Sequence, residues 1–224
     1  MPVTTGRILV IVSYNGYRHR TGITPANMLR IHYSQLEKLK HNLDKVLIVV
    51  NEYQDASHGA DEDYEDALSK FPDVLRVPNG NQGSYGALRD AFGVFPNYEW
   101  YFFLEDDYTF FLDNFDQLMI DMWTPETTYI AARIDGGGPY GLHASMPHGV
   151  TKGEVLKKID WTGFNAMEGG EYNSLIQVTW SHLFGSQGLR DITGTYGSPF
   201  FITPGSFNNT DPSKPILIGP VQLI

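Results

Sequence analysis

Three carboxylates stand side by side in the stretch YFFLEDDYTFFLDNF, residues 101 to 115. Glu105, Asp106 and Asp107 follow the apolar run Tyr101 to Leu104 and precede a second apolar, aromatic run. Acids at a loop tip are ordinarily a solvated cluster, but these are wedged between apolar segments. Crowding in such surroundings raises carboxylate pKa values unless a cation compensates. A hard divalent cation does this well. Mg2+ and Mn2+ take oxygen ligands and are commonly held by one or two carboxylates together with substrate phosphates.

The elements that must position these acids read as an alternation. RILVIVSYN (7 to 15), KVLIVVNE (45 to 52), VLRVPN (74 to 79) and EWYFFL (99 to 104) are short apolar runs, as expected of strands buried on both faces. Between them lie helical patterns. TPANMLRIHYSQLEKLKHNL (24 to 43) has a Thr-Pro start, DEDYEDALSKF (61 to 71) is short and acidic, and GSYGALRDAFGVF (83 to 95) precedes the fourth strand. The order β-α-β-α-β-α-β predicts an α/β fold, a Rossmann-like, mostly parallel sheet flanked by helices. Ligands of such sheets bind outside the carboxyl ends of the strands. Ser13 to Gly16, Asn51 and Glu52, and the three acids all fall at that edge.

Composition bounds the function. With 224 residues, 42% of them apolar, the chain has enough for one sizeable core. A formal net charge of −10 with no basic stripe argues against nucleic acid as a partner. The absence of cysteine excludes disulfides, thiolate chemistry and Cys-ligated zinc. No signal-peptide pattern follows Met1, and no apolar run approaches the roughly 18 residues of a membrane span. A soluble, cytoplasmic protein without a membrane span is the expectation. The apolar end, PILIGPVQLI, suggests one domain of a longer chain.

Two families place acids after a buried strand in this manner. Glu105-x-Asp107-x-Thr109 superficially fits the haloacid-dehalogenase phosphatases, but their first acid is an Asp and ends the first strand, not the fourth. LEDDYTFFLDNF resembles the Glu-Asp-Asp version of the DxD motif in GT-A glycosyltransferases. Three further elements agree in order and spacing. VSYNG resembles the opening of family 2 enzymes, and NGNQGSYGALRDAF (79 to 92) resembles their N-x-G-x-x-x-A-R-N element. EGGEYNSLIQVTW (168 to 180) resembles a Gly-Gly-Glu helix start.

The resemblance implies a single GT-A domain over 1 to 224, with a nucleotide-sugar half to about 110 and an acceptor half beyond. It implies a glycosyltransferase that uses Mn2+ or Mg2+ to move a sugar from a nucleotide-diphosphate sugar, a UDP-sugar, to a hydroxyl of a glycan or other acceptor. A non-catalytic nucleotide- or sugar-binding domain of the same fold is the alternative. Asp107 would ligate the metal, and Glu105 or Asp106 would hydrogen-bond the ribose or donor sugar. Ser13, Tyr14, Asn15, Asn51 and Glu52 would hold the base and ribose, and Arg89 would face the diphosphate or the donor sugar. Arg18, His19 and Arg20 are a local basic spot that either binds phosphate or is solvated. Glu171 would be the acceptor's general base, with Glu168 next; the other reading of Glu171 is a helix-capping acid favoured by the helix dipole. Tyr172 stands where galactosyltransferases carry an Asp, which leaves the base and the stereochemical outcome open. Family members often add a His to the metal; His143, His148 and His182 are available, none at the family's spacing.

Overall fold

In RILVIVSYN every residue from Ile8 to Tyr14 is buried, as the central strand of a covered parallel sheet requires. The computed structural model describes residues 5–15, 23–52, 61–77, 83–110, 112–131, 134–135, 143–144, 148–165, 174–191, 207–208 and 211–215. Its elements run β1 (Arg7–Asn15), α1 (Pro25–Lys38), β2 (Lys45–Glu52), α2 (Tyr64–Leu68), β3 (Asp73–Arg76), α3 (Gly83–Val94) and β4 (Trp100–Glu105). Then follow α4 (Phe115–Asp121), β5 (Tyr129–Ala131), β6 (Ile134–Asp135), β7 (His143–Ala144), β8 (Gly149–Lys152), α5 (Gly153–Leu156), α6 (Ser174–Phe184) and β9 (Leu189–Asp191). Two short strands near the C-terminus, Phe207–Asn208 and Asp211–Pro215, form a separate antiparallel pair.

The main sheet has seven strands in the order β3-β2-β1-β4-β8-β5-β9. All neighbours pair in parallel except β8, which is antiparallel to both β4 and β5. Strand alternation divides the core in two. Ile8, Val10, Val12, Tyr101 and Phe103 pack with Leu88 and Ala91 of α3, Leu156 of α5, and Trp180 and Phe184 of α6. Leu9, Ile11, Phe102 and Leu104 pack with Leu29 of α1, Tyr64 of α2, and Phe115 and Met119 of α4. Helices thus cover both faces, as the β-α alternation predicts.

The helix predicted over 24 to 43 ends earlier, at Lys38. Its start is as expected: Thr24 Oγ1 accepts from the Asn27 N–H and Pro25 occupies the first turn. Its end is set from outside. Asp113 accepts the Lys40 N–H, Lys40 O accepts the Asn114 N–H, and Asp116 accepts the Asn42 N–H. These contacts pull residues 40–42 out of helical pairing. Asp116 is fully buried and also pairs with Arg7 at 2.5 Å, tying α4 to the start of β1.

Gly149 opens β8 where strands crowd. A Cβ there would overlap the carbonyl oxygen of Ile130 and lie 3.0 Å from the Tyr129 ring. Gly93 on α3 has nothing within 4 Å of the same atom. Gly149→Ala should therefore destabilise the fold by about 1–3 kcal/mol, the usual cost of overpacking. Gly93→Ala should stabilise it by about 0.5–1 kcal/mol through helix propensity. Denaturant titration of both variants tests the pair, and equal effects would contradict the packing described.

Candidate active site

The strands β1, β2 and β4 run parallel, so Asn15, Glu52 and Glu105 end at one edge of the sheet. From β1 the chain winds outward to β2 and β3 and then returns to β4 on the other side of β1. The edge between β1 and β4 is therefore the point where strand order reverses, the usual binding crevice of an open α/β sheet. The three carboxylates sit there, and each is handled differently.

Asp106 is 5% exposed and turned back toward β1. Its carboxylate accepts the Tyr14 N–H at 3.1 Å, and its own N–H donates to Val12 O at 2.9 Å. Burial, Asp107 and Glu105 push its carboxyl up to about 7 against the pull of the Tyr14 N–H and the Ser13 hydroxyl. The carbonyl of Asp106 accepts from His32 Nε2 of α1 at 3.0 Å. A carbonyl only accepts, so that nitrogen carries the proton.

Glu105, also buried, spans two elements. One oxygen accepts from Ser84 Oγ of α3, and Ser84 shares a 2.5 Å hydrogen bond with the Tyr14 hydroxyl. The other oxygen faces His148 Nε2 at 2.9 Å. Tyr85, beside Ser84, stays protonated well above its ordinary range because it is buried and lies near Glu105.

Asp107 is half-buried. One ligand atom from each of Glu105, Asp107 and His148 falls within 4.8 Å of the others. Of the three candidate histidines the fold brings His148 to the acids; His182 is exposed on α6 and His143 stands on β7. Spacing along the chain gives no sign of this, because His148 lies 43 residues beyond Glu105. The pairing of Phe103 with Gly149 supplies it: β8 runs antiparallel to β4, so the residue before Gly149 arrives at the end of β4. His148 is 1% exposed, and Tyr108 packs on its ring at 4.1 Å between centroids.

The remaining sequence candidates are distributed as follows. Ser13 accepts from the Tyr64 hydroxyl at 2.9 Å, and Asn15 lies opposite Glu52 in the β1–β2 register. Asn51 is buried and its Nδ2 donates to Gly83 O at 3.0 Å, fixing the start of α3. Gly83 has φ of 62°, a conformation that favours glycine, which accounts for that residue in the NQG run. Arg89 pairs with its neighbour Asp90 at 2.7 Å. Glu168, Glu171 and the basic stretch Arg18, His19 and Arg20 lie outside the described residues. Trp180 and Phe110 are 1% exposed and belong to the core; Trp161 is partly buried against Trp180.

No family model matches the chain, and no curated protein matches it in sequence. Solved structures match its fold. Glucosyl-3-phosphoglycerate synthase from Mycobacterium tuberculosis superposes with a TM-score of 0.52 at 12% identity, over 84% of this chain and 69% of that chain. A cytidylyltransferase from Leptospira borgpetersenii gives 0.51 at 14% identity, over 84% and 76%. TarS from S. aureus gives 0.51 at 12% identity over 90% of this chain, which spans 37% of that protein. The chain has the GT-A fold. One structure of the synthase contains Mn2+, UDP and glucosyl-3-phosphoglycerate.

His32 supports this edge only as a neutral group. Burial lowers its pKa to about 4, outweighing the carbonyl it donates to and the nearby Asp107. Above the unfolded value near 6.5, His32 is neutral in both states. As pH falls toward 4, the unfolded chain takes up a proton that the folded chain refuses. Stability should then fall by about 1.4 kcal/mol per pH unit, on the order of 3 kcal/mol in all. His32→Asn removes this component. The stability gap between wild type and variant should narrow from pH 6.5 to 4 in denaturant titrations, and a constant gap would contradict a neutral His32.

Proposed function

We propose that the chain is a metal-dependent glycosyltransferase that moves a sugar from a UDP-sugar to a hydroxyl of a glycan or other acceptor. The observation that carries this reading is the convergence of Glu105, Asp107 and His148 at the reversal point of a GT-A sheet. The donor set fits a divalent cation. Two carboxylates and an imidazole suit Mn2+ better than Mg2+, which prefers oxygen alone. Burial and the neighbouring acids push Asp106 up, and a cation beside them relieves this. When bound with substrate, the cation neutralises charge on the departing nucleoside diphosphate.

The chain's own residues then divide the work. Asp107 and His148 are metal ligands, with Glu105 beside them. Asp106, held by β1 and His32, keeps the turn after β4 in place. Ser13, Tyr14, Asn15, Asn51 and Glu52 border the base and ribose, and Arg89 serves the diphosphate or donor sugar. Residues to about 110 form the nucleotide-sugar half and the rest the acceptor half, where Glu171, or failing it Glu168, takes the acceptor proton. The synthase structure with Mn2+ and UDP supports the choice of cofactor and nucleotide. The cytidylyltransferase of the same fold supports a second reading, nucleotidyl transfer. That reaction releases pyrophosphate where sugar transfer releases UDP, so product analysis with Mn2+ separates them. Tight UDP and Mn2+ binding with neither product would point to a non-catalytic binding domain.

Few protein ligands are available, so phosphate oxygens must complete the coordination shell. Calorimetry should show weak Mn2+ binding alone and much tighter binding with UDP. Asp107→Ala and His148→Ala should each weaken the UDP-dependent Mn2+ binding at least tenfold, without loss of fold, and abolish most turnover. Wild-type behaviour in both variants would overturn the metal assignment. Glu171→Gln keeps size and hydrogen bonding but cannot take a proton. It should cut transfer by about 10²- to 10⁴-fold while UDP and Mn2+ affinity barely move. A parallel fall in nucleotide affinity would move Glu171 to the donor side.

A further inference from the structure

Ser84, in the first turn of α3, reaches Glu105, and the next residue, Tyr85, packs its ring on Trp180 of α6 at 5.1 Å between centroids. Tyr85 is 4% exposed, yet its hydroxyl has no hydrogen-bond partner among the described residues. Trp161 also meets Trp180, at 5.9 Å, and its Nε1–H is likewise buried without a partner among them. Phe164, 5.7 Å from Trp161 and 6.1 Å from Trp180, completes an aromatic wall. The N–H of Trp180 itself has the Tyr129 hydroxyl beside it.

A buried donor without an acceptor is costly, and native folds keep few of them. Here two stand on one wall, and Tyr85 lies near Glu105, at the edge of the sheet where ligands bind. What they lack is an acceptor, and the surroundings restrict its chemistry. The indole N–H of Trp161 can only donate. Tyr85 stays protonated, through burial and the nearby Glu105, so it too has a hydrogen to give. A ligand hydroxyl would bring a further hydrogen, and both Glu105 oxygens are already engaged, by Ser84 and His148. A ligand carboxylate would add negative charge beside Glu105. A neutral carbonyl accepts on two lone pairs and brings no hydrogen or charge. A methyl group attached to it suits the rings of Phe164 and Trp180. An acetamido group combines the two.

We propose that Tyr85 and Trp161 form the subsite for the acetamido group of an N-acetylhexosamine carried by the UDP-sugar donor. This subsite presupposes the glycosyl-transfer reading above and fixes its sugar. The Tyr85 hydroxyl donates to the acetamido carbonyl, Trp161 Nε1–H is the second donor, and the methyl lies on the aromatic wall. Ser84 and Arg89, on the same helix, meet Glu105 and serve the diphosphate or donor sugar. A site built to hydrogen-bond one substrate group discriminates strongly against an analogue lacking it, because its buried donors are then left unpaired.

Calorimetry on the whole protein with Mn2+ tests this, using UDP, UDP-N-acetylglucosamine, UDP-N-acetylgalactosamine, UDP-glucose and UDP-galactose. At least one N-acetyl sugar nucleotide should bind about tenfold or more tightly than its hydroxyl counterpart. Tyr85→Phe removes only the hydroxyl, and should erase that preference while UDP affinity stays as in wild type. Trp161→Phe keeps a ring without the N–H, and should reduce the preference. The free Tyr85→Phe protein should unfold at an equal or higher denaturant midpoint, because the hydroxyl it loses has no partner. A lower midpoint would show that the hydroxyl is bonded within the fold and would overturn the proposal. Equal binding of N-acetyl and hydroxyl sugar nucleotides, or a preference that survives intact in either variant, would overturn it as well. If UDP itself fails to bind with Mn2+, the donor site and the subsite fall together; if UDP binds and no preference appears, only the subsite falls.

Discussion

The structure turns on one electrostatic constraint: three consecutive acids at the end of a strand whose six residues are all buried. Unpaired carboxylates in such a place are costly, and side by side they repel. The fold answers with a different partner for each. A β1 backbone N–H meets the Asp106 carboxylate, and a neutral imidazole from α1 meets its carbonyl. A hydroxyl from α3 and an imidazole preceding β8 meet Glu105. Asp107, half-buried, faces His148 and Glu105 in the donor cluster. Two strands of the sheet and one helix on each of its faces are thereby fixed by the needs of three residues.

This makes Tyr14 more than a residue at the end of β1. Its N–H holds Asp106, while its hydroxyl holds Ser84, which holds Glu105. Glu105 in turn meets His148, so a chain of contacts runs from β1 through α3 and β4 to the residue just before β8. Metal-bound histidines are commonly oriented through such carboxylates, and their supporting partners matter nearly as much as the ligands. Gly149 belongs to the same arrangement, because only a residue without a Cβ lets β8 approach Ile130 and deliver His148.

The first half of the fold was legible because burial on both faces writes itself as apolar runs. The strands at 7 to 15 and 45 to 52 have the predicted bounds, and the fourth begins and ends one residue later than predicted. Where the reading slipped, the cause was tertiary: α1 stops at Lys38 because acids 73 and 74 residues away capture the next backbone groups. The acids were legible as a group, from three charges between apolar runs, but their separate partners were not. Nothing local distinguishes Asp106, turned inward, from Asp107, half-buried beside His148. His148 itself was one of three equal candidates until the antiparallel register of β8 was known. Strands of two to four residues, such as β5 to β8, leave too short a pattern for that register to be read.

The candidate donor set also spans the chain's two halves. Glu105 and Asp107 end the β-α alternation, whereas His148 belongs to the Gly- and Pro-rich stretch beyond it. The 2.9 Å contact between Glu105 and His148 already joins them. A cation on all three groups would strengthen that join, since whatever binds only the folded form stabilises it. Nucleotide would add to it by completing the shell with phosphate oxygens. Under the proposed function, assembly of the site and cohesion of the two halves are then one event. A chain with so little recognisable local signal after residue 125 can in this way fix its second half around the site it serves.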